Sequence, residues 1–232
     1  MRALVIDLDG FCPAGLVGER LDHHGIEQDE LVIVDDPADP RSDRPFPDPG
    51  AYDLVVSMGS PWSVYDTERI GTWIGRHVDT LRTAHEAEVP VLGVCFGGQV
   101  LAAALGGTVE RAPQAEFGWG KVETTAPELV APGPWFQWHV DRFLVPDGVE
   151  VLARNDAGTQ AFRAGRSLGV QFHPELTVPI LEGWLVAATE DELQLLDGTV
   201  DDLLAETAQR QEEARPHCNA LVDGFLRDAG LI

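Results

Sequence analysis

The chain is poor in lysine, tyrosine, methionine and cysteine, and each shortage excludes something. Lys121 is its only lysine, and 16 basic residues stand against 39 acidic ones for a formal net charge of -23. A surface of that sign repels nucleic-acid phosphates and anionic membranes, which excludes polyanion partners. The surplus acid itself reads as surface solvation rather than recognition of a basic ligand. The three cysteines, Cys12, Cys95 and Cys218, are odd in number, widely spaced and without a C-x-x-C pair. That pattern argues against a disulfide framework and a zinc site, and fits a reducing cytoplasm. Long apolar runs are missing too: Met1–Asp7 turns acidic after four apolar residues, and no stretch approaches the ~18 needed to span a bilayer. An unexported, soluble protein is expected.

What is present is enough apolar residue, 44% of 232, for one globular domain. Short β-branched or apolar runs at Ala3–Leu8, Leu31–Val34, Leu54–Met58 and Val89–Val94 read as parallel strands buried on both faces. Thr67–Glu88 carries Ile70, Trp73, Ile74, His77, Val78, Leu81 and Ala84 at helical steps, one amphipathic helix. After Leu105–Gly107 come extended pieces at 121–125, 149–154, 160–163 and 168–172, expected to continue the sheet with antiparallel strands, and the chain is helical in pattern from Val178 onward. The proline-rich stretch 35–50 reads as a surface loop. The expected fold is α/β: a single domain over 1–232 with a mostly parallel central sheet flanked by helices, and 178–232 as a helical extension packed on it.

Two segments carry chemistry. Gly93-Val94-Cys95-Phe96-Gly97-Gly98-Gln99 follows an apolar strand and has the form of a nucleophile elbow, in which small residues on either side of the nucleophile let a strand turn sharply into a helix. The helix start, expected around Gly97, favours thiolate over thiol at Cys95. Far downstream, Gln171-Phe172-His173-Pro174-Glu175 places a base and an orienting carboxylate two residues apart, read as sharing one side of a strand that ends at Pro174. Cys12 and Cys218 sit in no comparable turn and take no role.

Gly-x-Cys-x-Gly-x-Gln with a later His-Pro-Glu resembles the class I glutamine amidotransferases. Two more segments match in order: 58–66, Met-Gly-Ser-Pro-Trp-Ser-Val-Tyr-Asp, resembles the family's oxyanion loop, and Trp138-His139-Val140-Asp141 its substrate segment. Ser-Val-Tyr-Asp most resembles the branch that includes the amidotransferase half of GMP synthase. The resemblance implies a flavodoxin-like fold and a Cys95, His173, Glu175 triad acting through a γ-glutamyl thioester. It also implies oxyanion donors from Phe96 and from Gly59 or Ser60, and substrate contacts from Gln99 and Trp138–Asp141. Val140 stands where several branches have glycine. No cofactor and no metal are implied. The implied substrate is glutamine, with ammonia passing to an unknown acceptor or a separate synthetase subunit. The alternatives are a γ-glutamyl peptide or amine as substrate, and, behind both, an idle binding subunit.

Of Trp135, Phe136 and Trp138, two read as aromatic core packing, and Phe117–Gly120 as a loop beside the pocket or a plain turn. Asp7-Leu8-Asp9-Gly10 resembles the aspartate motif of dehalogenase-type phosphatases, but Lys121 and the later acids are misplaced for that chemistry, leaving Asp7 and Asp9 as strand-end surface acids.

Overall fold

The computed structural model describes residues 1–232. In chain order its elements are β1 (Arg2–Ile6), α1 (Gly15–His23), β2 (Glu27–Leu31), a 3-10 turn at Pro49–Ala51, β3 (Leu54–Ser57), α2 (Thr67–Ile70), α3 (Ile74–Glu86), β4 (Val91–Val94) and α4 (Phe96–Ala104). There follow β5 (Thr108–Gly120), β6 (Glu123–Thr124), β7 (Trp135–Leu144), β8 (Glu150–Asn155), β9 (Gly158–Ala164), β10 (Ser167–Val170), α5 (Val178–Ala187), α6 (Glu190–Leu193) and α7 (Val200–Asp228).

The main sheet runs β2-β1-β3-β4-β10-β9-β8-β6. Pairing is parallel from β2 through β10 and antiparallel from β10 outward. Strand alternation divides the core between the two faces. Ala3 and Val5 join one apolar cluster with Leu92 and Val94, while Leu4 and Ile6 join the other with Val91 and Phe96. Leu181, Leu221 and Phe225 of α5 and α7 belong to the first cluster. Arg20 on α1 fixes α7 through a two-pronged pair with Asp223 at 2.6 and 2.7 Å. No helix is long and apolar enough to cross a membrane.

Several expected boundaries move, for physical reasons. The second strand is the polar Glu27–Leu31, not Leu31–Val34. It is the sheet edge, where one side needs no apolar residues, and the apolar run beyond it instead folds over the end of β1, with Ile33 and Val34 N–H both donating to Leu8 O. The expected single helix over 67–88 is broken between α2 and α3. Trp73, fully buried there, donates from Nε1 to Pro40 O at 2.8 Å and so ties down the proline-rich loop.

The largest departure is a separate two-stranded ribbon, β5 with β7, in place of loop and packing residues. Its ladder is held by aromatic pairs across the strands, Phe117 with Trp138 at 5.0 Å and Trp119 with Phe136 at 5.5 Å between ring centroids. The order of the strands reverses at β1, with β2 on one side and β3 on the other. The loops leaving the carboxyl ends of β1, β3 and β4 therefore open onto one crevice, where sheets of this kind bind ligands.

Candidate active site

Cys95 occupies the turn between β4 and α4 with φ 51° and ψ −108°. A non-glycine residue at positive φ is strained, and the surroundings must hold it. They do: its N–H donates to Val170 O at 2.8 Å, and the Gly97 N–H donates to Met58 O at 3.1 Å. The flanking glycines are required by contact. A Cβ on Gly93 would lie 2.6 Å from Gly97 O, and one on Gly97 only 2.0 Å from Ser57 O. The helix starts at Phe96, one residue before the expected position, so Cys95 itself is the cap.

His173 and Glu175 lie just beyond β10, which ends at Val170 rather than running to Pro174. Their shared side comes from a loop held by one bridge, His173 N–H to Phe136 O at 2.8 Å, and not from strand alternation. His173 Nδ1 meets Glu175 Oε1 at 2.7 Å, and both side chains are buried. The Trp184 ring stands edge-on to His173 at 4.7 Å. His173 Nε2 and Glu175 Oε2 are buried without a partner. Burial alone would push the imidazole down; the charges of Glu175 and then Cys95 outweigh it, and His173 is raised.

Around the sulfur, Gln171 Nε2 donates to Sγ at 3.6 Å, and Gln99 Nε2 donates to Gln171 Oε1 at 3.4 Å. The N–H groups of Gly59 and Ser60 make no hydrogen bond within the chain, and that of Phe96, first in its helix, has no intrahelical acceptor. Gly59 lies against His173: a Cβ there would be 3.2 Å from His173 Cε1 and 3.4 Å from Cys12 Sγ.

Cys95, His173, Ser60, Phe96, Gln99 and the four residues Trp138–Asp141 all line one cleft of about 580 Å³. Gly59 and Glu175 stand behind its wall. His139 turns both ring nitrogens to acceptors, Nδ1 to Asp141 O at 2.9 Å and Nε2 to Glu116 Oε2 and Gln137 Oε1, each at 3.1 Å. Its ring is thus committed to bracing the ribbon. The Asp141 carboxylate accepts from Tyr65 Oη at 2.8 Å and from Ser63 Oγ, clasping the loop after Gly59 to β7.

Other residues lining the cleft carried no role in the sequence reading: Asp9, Cys12, Arg111 and Trp184. Asp7 and Asp9 are buried, which corrects their reading as surface acids. Asp7 Oδ1 accepts from the Gly10 and Cys12 N–H groups and curls the β1 loop inward. Asp9 Oδ1 accepts from the Phe11 N–H, Oδ2 has no partner, and burial first, then Asp7, pushes its carboxyl up to about 6. Of these, only the Asp-Leu-Asp-Gly run was visible in the sequence.

Residues 21–180 match the family model for glutamine amidotransferase class-I. The chain belongs to the class I glutamine amidotransferases. It is 36% identical over 144 residues to a GMP synthase (glutamine-hydrolyzing) of Aeropyrum pernix, covering 56% of this chain and 27% of that protein. It is 40% identical over 130 residues to that of Staphylococcus aureus, covering 53% and 24%. The chain thus matches about a quarter of the length of these relatives. Among solved structures, a glutamine amidotransferase from Thermotoga maritima matches with TM-score 0.80 at 25% identity, over 97% of this chain and 98% of that one. One from Methylobacillus flagellatus has the same fold, with TM-score 0.83 at 22% identity over 98% and 94%.

Proposed function

We propose that this amidotransferase hydrolyses the amide of glutamine through a γ-glutamyl thioester on Cys95, with His173 as base and acid and Glu175 as its orienting partner. The observation that carries the reading is the strained Cys95 turn opening beside a buried His173 whose far nitrogen is bound to Glu175. The Gln171 amide donates to the Cys95 sulfur at the start of α4. Cys95 Sγ attacks the carboxamide carbon, and the oxyanion is received by the Phe96 N–H together with Gly59 or Ser60 N–H, all three free to donate. His173 gives its proton to the departing ammonia and then takes one from the water that cleaves the thioester. Glu175 keeps the proton-bearing Nδ1 turned away from the sulfur.

The glutamyl end lies towards Gln99 and the ribbon residues Trp138–Asp141. We read the ammonia as meant for a synthetase on a separate subunit or on another part of a longer assembly, since the relatives named as glutamine-hydrolyzing GMP synthases extend well beyond the matched region. A γ-glutamyl peptide or amine is the second reading, favoured by a cleft with room and aromatic walls beyond what glutamine fills. We also take 178–232 as part of the same domain, because Leu181, Leu221 and Phe225 share the cluster of Leu92 and Val94. Ammonia release from glutamine by the purified chain, lost by on the order of 10³-fold or more in Cys95→Ala, tests the reading. A Cys95→Ala variant with more than a tenth of wild-type turnover refutes it.

A further inference from the structure

The two halves of the oxyanion site come from different strands. Gly59 and Ser60 follow β3 and Phe96 follows β4, so their N–H groups meet on one oxygen only if the two strand ends keep a fixed spacing. Ser57, the last residue of β3, pairs with Gly93 in the register and stands at that junction. A Cβ on Gly97 would lie 2.0 Å from its carbonyl oxygen and 2.7 Å from its Oγ, so the elbow rests directly on Ser57. One residue on, Met58 O accepts from the Gly97 N–H at 3.1 Å.

His77 of α3 holds Ser57 from the other side. Its Nε2 meets Ser57 Oγ at 3.0 Å, and both residues are fully buried. The imidazole stacks on Phe46 at 5.3 Å and lies over Phe96 at 6.3 Å between ring centroids, with Trp73 at 6.4 Å. Burial pushes it down to about 3, so the ring is neutral at any working pH. Its Nδ1 is buried without a partner. That bare nitrogen costs stability, and a phenylalanine in the same aromatic pocket would not carry it. What the imidazole does that an apolar ring cannot is bond Ser57. We infer that His77 is a positioning residue of the oxyanion site: through Ser57 Oγ and the Phe96 ring it fixes the end of β3 against the elbow, and so sets the spacing between the Gly59–Ser60 donors and the Phe96 N–H. Neither His77 nor Ser57 lines the cleft, so they act through the backbone and not on the substrate. The inference rests on the γ-glutamyl thioester reading above.

The test compares glutamine turnover with alkylation of Cys95 by iodoacetamide in the wild type, His77→Phe, His77→Gln and Ser57→Ala. Alkylation displaces iodide in one step and builds no oxyanion, so it reports the nucleophile alone, whereas turnover also needs the oxyanion donors in place. Shifting donors costs less than deleting one, so His77→Phe and Ser57→Ala should each lower kcat on the order of 10- to 100-fold, with KM within about twofold of wild type. The rate and pH profile of alkylation should be kept, and Tm of His77→Phe should not fall, since the bare nitrogen goes. His77→Gln, whose amide can donate to Ser57 again, should recover part of kcat. Because both residues act through one contact, the double variant should be no slower than the slower single one. Should His77→Phe not fold, Ser57→Ala, which only removes an atom, carries the test. If the wild type is alkylated but releases neither ammonia from glutamine nor aniline from a γ-glutamyl anilide, the thioester reading fails and this inference falls with it. Wild-type kcat in both His77→Phe and Ser57→Ala, additive losses in the double variant, or losses in kcat matched by equal losses in alkylation rate overturn this inference and leave that reading standing.

Discussion

Glu175→Gln isolates what the buried carboxylate contributes, because it keeps size and one oxygen while removing charge. In the structure Oε1 meets His173 Nδ1 at 2.7 Å and Oε2 has no donor. An amide can settle there in two ways. With its oxygen towards Nδ1 it keeps the working tautomer but leaves the imidazolium uncompensated. With its NH₂ towards Nδ1 it forces the ring proton onto Nε2, the nitrogen that must take one. The comparable change in a Ser-His-Asp triad costs ~10⁴ in kcat. Loss of charge alone sets a smaller figure, so we expect a fall of roughly 10² to 10⁴, about 2.7 to 5.4 kcal/mol in the barrier. Stability should change little at pH 8, since the variant also removes a carboxylate oxygen that is buried without a partner. The assay is ammonia release, paired with the pH dependence of Cys95 alkylation. His173 is raised in the wild type, so its imidazolium persists from acid through neutral pH; in Glu175→Gln it should deprotonate nearer its ordinary value, and the profile should shift to lower pH. A variant with more than a tenth of wild-type kcat/KM and an unshifted profile would refute the reasoning.

Two further perturbations follow from contacts at the same site. Gly59→Ala puts a methyl 3.2 Å from His173 Cε1 and 3.4 Å from Cys12 Sγ, so kcat should drop by roughly tenfold or more, with partial recovery when Cys12→Ala is added; equal activity of Gly59→Ala and wild type would contradict this contact. Asp9→Asn should stabilise the fold at pH 8 by up to about 3 kcal/mol, read as a rise of several degrees in Tm, and do nothing at pH 3.5. The sign follows from the raised carboxyl: well below the ordinary carboxylate value Asp9 is protonated in both states and costs nothing, the cost accrues as pH rises from that ordinary value, and it is complete above about 6. A Tm gain that is the same at both pH values would sink that account.

The elbow was legible in the sequence because its demands are local: a strand, a cysteine, and glycines where Gly97 O and Ser57 O leave no room for a Cβ. The His-Pro-Glu segment was legible for the same reason, although its strand ends sooner than expected and a backbone bond to Phe136 does the positioning. The β5–β7 ribbon was not, because what makes it a ribbon is Phe117 on Trp138 and Trp119 on Phe136, partners about twenty residues apart whose pairing no local period records. Cys12 and Asp9 enter the cleft wall only because the Asp7 side chain bends the loop after β1 back on itself. Cys12 is therefore a wall residue beside Gly59, and of the two remaining cysteines only Cys218, in the core, is remote from the cleft.

The most direct measurement is rapid acid quench of the chain turning over glutamine, followed by peptide mapping by mass spectrometry. A γ-glutamyl adduct on the peptide containing Cys95, formed and lost at rates that account for ammonia release, is the predicted result. Cys12 and Cys218 should stay unmodified, as burial raises both thiols. Ammonia released at full rate with no adduct on Cys95, or with the adduct on Cys12, would contradict the account.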